Sequence, residues 1–92
     1  MSLLRKPQQT ADYRMELLDG ELLLFHPGQT RLIACNAIAS LIWQLSDGRR
    51  TTQEMVKLLQ AAYPEAQETI TSDVENTLRR LAHLGAIEFA AP

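Results

Sequence analysis

A single cysteine, two histidines and four glycines close off several large classes of chemistry for this 92-residue chain. Lone Cys35 cannot form an internal disulfide, which fits a reducing, cytoplasmic setting, and it reads as a small hydrophobe in or beside the core. His26, His83 and Cys35 are the soft metal ligands, and they lack the spacing of a zinc site, so no metal is expected. The glycines stand singly at turn positions, which excludes a Gly-rich phosphate loop. No apolar run approaches the length of a membrane span, and Met1-Ser-Leu-Leu-Arg-Lys-Pro7 lacks the apolar stretch of a secretory signal. Positive charge is not in excess either. Nine Lys and Arg against eleven Asp and Glu leave a net charge of −2, with no global field to draw nucleic acid or anionic lipid. Glu65, Glu68, Asp73 and Glu75 cluster where a helix N-terminus welcomes negative charge rather than as an acid–base pair. With no local nucleophile–base signature, catalysis and cofactors are not expected.

What remains is an ordinary folding composition: 46% hydrophobic and 22% charged residues suffice for one small core. Residues 1–11, with Pro7 and Gln8-Gln9, show no periodicity and read as a loose arm; residues 12–92 read as a single domain. Tyr13, Met15 and Leu17 alternate with Arg14 and Glu16 as a half-buried strand. Asp19-Gly20 marks a hairpin turn before Glu21–His26, which is apolar on both faces as a helix-covered central strand would be. Pro27-Gly28 supplies a second turn, and Thr30–Cys35 a third strand. Asn36 suits an N-cap for a helix whose stripe is Ile38, Leu41, Ile42 and Leu45, ended by Asp47-Gly48. Trp43 on this helix reads as a core anchor, compatible with a groove beside it. Thr51-Thr-Gln-Glu54 fits a capping box for a second helix with core positions Met55, Leu58, Leu59, Ala62 and Tyr63, stopped by Pro64. A third helix is expected from Thr69 or Ile70, buried through Ile70, Val74, Leu78 and Leu81 and closed by Gly85, with Ala86–Phe89 as a short last strand. Strands followed by helices argue an α+β fold: a three-stranded antiparallel meander, then three helices, closing into a winged helix-turn-helix-like shape.

These residues, taken in order, resemble the PqqD family: Asp19-Gly-Glu-Leu-Leu-Leu-Phe-His-Pro27, Asn36, Ile42-Trp43, Leu45-Ser-Asp-Gly-Arg-Arg-Thr51, Asp73-Val74 and Leu84-Gly-Ala-Ile87. The resemblance runs from about Tyr13 to Phe89. Its most specific piece is the aspartate-glycine between the first two helices, followed by a capping threonine. It implies a noncatalytic peptide chaperone, a recognition element for ribosomally made, modified peptides. Such a protein binds a precursor (leader) peptide and presents it to a modifying enzyme, a radical SAM enzyme in pyrroloquinoline quinone (PQQ) synthesis. Asn36-Ala37 and Pro27-Gly28 stand where the family often has Asn-Glu and Pro-Glu, which leaves the identity of the peptide open. The resemblance also implies a site between the third strand and the third helix. On the strand it would comprise Arg31, Leu32, Ile33, Ala34 and Cys35; on the helix Thr77, Arg80, Leu81 and Leu84. For Leu32, Leu81 and Leu84 the plain reading is core packing. The expected partners are the leader peptide and a radical SAM or other peptide-modifying enzyme, with the chain itself a monomer or weak homodimer.

A winged-helix DNA-binding protein has a similar element order. Its recognition helix would offer Thr71, Ser72, Asn76 and Arg79, but Asp73 and Glu75 occupy the end that should approach phosphates. Nucleic acid is therefore not an expected partner.

Overall fold

A computed structural model of the chain describes residues 3–19, 21–28 and 32–90. Five strands and three helices follow in the order β1 (Lys6–Gln9), β2 (Arg14–Leu18), β3 (Glu21–Phe25), β4 (Leu32–Cys35), α1 (Ala37–Leu45), α2 (Thr52–Ala62), α3 (Gln67–His83) and β5 (Ile87–Ala90). A single 3-10 turn at Pro64–Ala66 joins α2 to α3, so the third helix starts at Gln67, ahead of Thr69. Strands β2, β3 and β4 form the expected antiparallel meander, followed by three helices; the fold is α+β.

Local chemistry sets the helix boundaries. Asn36 Oδ1 accepts from the Ala39 N–H at 2.8 Å and starts α1. At the other end the Ser46 hydroxyl donates to the Ile42 carbonyl at 2.7 Å, so the helix stops just before Asp47-Gly48. Gly48 adopts φ +78°, a conformation that favours glycine, and a Cβ there would sit tightly against the Gln8 side chain at 3.1 Å. The capping box of α2 is complete: the Glu54 N–H donates to Thr51 Oγ1 at 3.1 Å, and the Thr51 N–H donates to Glu54 Oε1 at 2.9 Å. Asp47 Oδ1 accepts from the N–H groups of Arg49 (2.9 Å) and Arg50 (3.0 Å), shaping the α1–α2 link.

The core joins Leu24 and Ile33 of the meander to Ile42 and Trp43 of α1, Met55 and Leu59 of α2, and Ile70, Val74, Leu78 and Leu81 of α3. Trp43 is its anchor, and its indole Nε1 donates to the Ala86 carbonyl at 3.3 Å. Tyr13 is buried and gives its hydroxyl proton to the Leu84 carbonyl at 2.8 Å.

Three expectations need correction. The loose arm is not loose over Lys6–Gln9, because β1 pairs antiparallel with β5. Its other side is held by the α1–α2 link: the Gly48 N–H donates to Pro7 O (2.8 Å), the Gln9 N–H to Ser46 O (2.9 Å) and the Thr52 N–H to Arg5 O (2.9 Å). Secondly, the inner stripe of α2 is Thr52, Met55, Val56 and Leu59, whereas Leu58 is 47% exposed and Ala62 is exposed. Both stripes have helical spacing; the N-terminal strap decides between them by binding Thr52, whose hydroxyl also donates to Arg5 O at 3.1 Å. Thirdly, β3 is not covered on both faces. Leu24 is fully buried, but Leu23 and Phe25 lie outside the core cluster, because the helices pack on one side of the meander.

Two expected outcomes follow. Removing residues 1–9 strips β5 of its partner and uncovers the amide groups of Gly48, Thr52 and Gln53; chemical denaturation should show a loss of more than about 2 kcal/mol. The second concerns acid. The Arg49 N–H, and then that of Arg50, hold the Asp47 carboxyl below its ordinary value, and the backbone N–H and hydroxyl of Thr51 do the same for Glu54. With both folded-state values depressed, their stabilisation is present above the unfolded values and is lost as pH falls through the folded ones. The double variant Asp47→Asn, Glu54→Gln keeps acceptors at both positions without the titration. Its Tm should fall less steeply than the parent's between about pH 5 and about pH 3.

Candidate functional site

Strand β4 is an edge. The sheet order is β2-β3-β4, and among the described residues no strand pairs with its outer side. Antiparallel geometry turns the N–H and C=O groups of alternate residues toward that open side. Facing it across a cleft is α3, which α1, α2 and β5 hold in place. The cleft is a groove of about 220 Å³. From β4 it is lined by Ile33, Ala34 and Cys35; from α3 by Thr77, Arg80 and Leu81; and at the strand–helix junction by Asn36 and Ala39. Ile33 and Leu81 are 4% and 2% exposed, so they supply an apolar floor continuous with the core, while Ala34 and Arg80 stand exposed at the rim.

The groove continues in two directions. Beyond Thr77 and Asn36 a second hollow of about 220 Å³ is lined also by Ile38, Asp73 and Asn76. Beyond Ala34 and Cys35 an open hollow of about 440 Å³ reaches Glu21, Leu22 and Ala37. The α3 wall therefore presents Arg80 and, two turns earlier, Asp73: one positive and one negative position roughly 10 Å apart along the helix. Cys35 lies half-buried on the strand side of the groove opposite Thr77 and Arg80, its thiol 3.7 Å from the Ile33 carbonyl. Burial pushes this thiol above its ordinary value, and the nearby Arg80 guanidinium partly opposes the shift. At neutral pH it is a protonated, apolar lining group rather than a nucleophile.

Of the residues expected on this site, the structure gathers Ile33, Ala34, Cys35, Thr77, Arg80 and Leu81 around one groove. Arg31 lies outside the described residues. Leu32 does not line the groove and is not in the core either: it is 62% exposed, because strand alternation turns it to the opposite face from Ile33. Leu84 is displaced to the C-cap of α3, where its carbonyl is engaged by Tyr13. Asn36, Ala39, Asp73 and Asn76 were not among the expected lining residues. Asn36 was legible as an N-cap, and a cap at the end of an edge strand necessarily sits at the mouth of any cleft beside it. On the outer face of α3, Arg79 does not pair with Glu75, its i−4 neighbour, but donates to Asn76 Oδ1 at 3.2 Å. His26 is a turn residue: its Nδ1 accepts from the Gly28 N–H at 3.0 Å, and its ring meets Tyr13 edge-on at 5.4 Å. Among the described residues, no group of three or more His, Cys, Asp or Glu is placed to hold a metal ion.

Comparison with solved structures finds the same architecture in TbiB1, determined in complex with the TbiA(beta) leader peptide. The match has a TM-score of 0.73 and 25% sequence identity, and covers 92% of this chain and 99% of TbiB1. A search among curated protein sequences finds no match. The sequence model of the family described as coenzyme PQQ synthesis protein D matches residues 21–87, from the central strand of the meander through α3 to the first residue of β5. The chain belongs to the PqqD family.

Proposed function

We propose that this protein is a noncatalytic peptide chaperone: it captures the leader segment of a ribosomal precursor peptide on the edge of β4 and presents it to a modifying enzyme. The observation that carries this reading is the unpaired outer side of β4 lying directly beside a groove with an apolar floor and a cationic rim. An extended peptide added there as a fourth strand would gain main-chain hydrogen bonds from β4, while its groove-facing side chains would meet Ile33, Leu81 and Arg80. Main-chain bonds supply affinity for extended segments in general; the groove supplies selection. Arg80 favours an acidic side chain opposite the end of β4, and the half-buried Cys35 favours an apolar neighbour. The likeness to TbiB1, a protein solved with a leader peptide, and membership of the PqqD family support the same reading. The family's part in PQQ synthesis favours a radical SAM enzyme as the partner. A neighbouring gene for such an enzyme and a short precursor reading frame would identify the pathway.

Isothermal titration with the precursor peptide of the same gene neighbourhood tests strand addition. Since alternate residues point their N–H groups outward, one of Ile33→Pro and Ala34→Pro removes an outer donor. The variant that keeps its circular dichroism spectrum should bind more than about tenfold more weakly. If both variants stay folded and bind like the parent, addition at β4 is wrong. Arg80 is exposed, so Arg80→Glu should leave the fold intact and weaken an acidic leader up to about fivefold, an effect that fades as salt rises. Cys35 gives an independent readout. Its alkylation by iodoacetamide should require a pH above that of an ordinary thiol, and bound peptide should slow it; equal rates with and without saturating peptide would place the peptide elsewhere.

A further inference from the structure

The groove beside β4 has two ends of opposite charge. Asp73, Thr77 and Arg80 stand at i, i+4 and i+7 of α3, so they share one stripe of the helix wall. Arg80 belongs to the hollow floored by Ile33 and Leu81; Asp73 belongs to the next one, and the two hollows meet at Asn36 and Thr77. Since Asn36 follows the last residue of β4, the strand runs from the Arg80 end toward the Asp73 end.

The far hollow is built for a donor. Its lining residues, Asn36, Ile38, Asp73, Asn76 and Thr77, include no cation. Both amide oxygens there are engaged: Asn36 Oδ1 accepts from the Ala39 N–H at 2.8 Å, and Asn76 Oδ1 from the Arg79 guanidinium at 3.2 Å. Asp73 is exposed and, among the described residues, enters no ion pair. On the other side of Asn36, the open hollow adds Glu21 and again no cation. Half-buried Ile38 offers an apolar wall for the aliphatic stem of a long basic side chain.

We propose that this hollow selects a lysine or arginine of the captured peptide, and that Asp73 is the residue that sets the preference. The inference rests on peptide capture at β4 and adds a charge order to it. From Asp73 to Arg80 the helix rises about 10 Å, the length of about three residues of extended chain. Side chains on one side of a strand alternate, so the base at Asp73 and the acid at Arg80 stand two or four residues apart. An antiparallel fourth strand, the more stable pairing, runs from the Asp73 end to the Arg80 end, so the base comes first.

Selection against the full chain from a displayed library of random peptides, about twelve residues long to span the strand and both hollows, reads this order. Slowed alkylation of Cys35 marks the peptides that occupy the groove. Those selected by the parent should carry Lys or Arg, then Asp or Glu two or four residues later. Replacing that base by Glu should weaken binding about fivefold, an effect that fades as salt rises. Against Asp73→Lys the first charged position should turn acidic. Against the double variant Asp73→Lys, Arg80→Asp the order should reverse, acid before base. Both positions are exposed, and circular dichroism checks that each variant is folded. Groove-binding peptides without this order, or with an order that Asp73→Lys leaves unchanged, overturn the inference and leave peptide capture standing. A selection that yields no peptide protecting Cys35 overturns both.

Discussion

The two ends of the described chain hold each other, and the rest of the molecule follows from that. Lys6–Gln9 pairs with Ile87–Ala90, and the guanidinium of Arg5 stacks over the Phe89 ring at 4.0 Å. On its other side β1 is bonded to the α1–α2 link, so a strand of four residues is saturated on both edges. Backbone amides and carbonyls must find partners when buried, and a free N-terminal strand could satisfy the same need by adding to β4. By spending its hydrogen bonds on β5, Ser46 and Gly48, β1 leaves the edge of β4 open. The strap also selects which face of α2 turns inward, through Thr52, and thereby where Met55 and Leu59 meet α3.

A second consequence concerns rigidity. The groove is bounded by three elements that are each tied independently to the core: β4 through Ile33, α1 through Ile42 and Trp43, and α3 through Leu78 and Leu81. An edge strand is otherwise a weak template, because a lone hairpin in water is marginal. With Ile33 and Leu81 serving both as core and as groove floor, the groove cannot move without disturbing packing. For a peptide bound there as proposed, such preorganisation would lower the ordering cost, since an extended segment must itself lose much chain entropy on binding.

Local signals were readable in the sequence because their physics is local. Asn36, Thr51 with Glu54, and Gly48 act within a turn or two, and each sits in the expected role. The meander's order was legible for the same reason, since alternation and turn residues lie next to what they control, but alternation overstated the burial of β2: Leu17, read on the same face as Tyr13 and Met15, is 65% exposed. The misreadings all involve partners far apart in sequence. Lys6–Gln9 has no alternation, and its strand exists only because β5, some eighty residues later, needs an edge partner. Leu58 and Val56 fit alternative stripes of α2 equally well, and a distant Arg5 carbonyl breaks the tie. Leu23 and Phe25 read as buried from hydrophobicity alone, whereas which sheet face the helices cover is a property of the whole fold. For the candidate site, the two elements that the resemblance named line one groove, whose lining lacks Leu32 and Leu84 and includes Asn36 and Ala39. Side-chain direction, which depends on register and on where a helix ends, decides membership.

Leu32 shows how much that direction matters. On hydrophobicity it belongs to the core; by position on β4 it belongs to the peptide edge; by pleat it faces away from both Ile33 and the groove. A leucine 62% exposed at the start of an edge strand contributes little to the core. Phe25, its register partner, and Leu23 continue the same apolar surface while Arg14 and Glu16 border it. The meander therefore has three distinct boundaries: an inner face spent on folding, an outer β4 edge with no partner strand among the described residues, and an outer face that stands outside the core cluster.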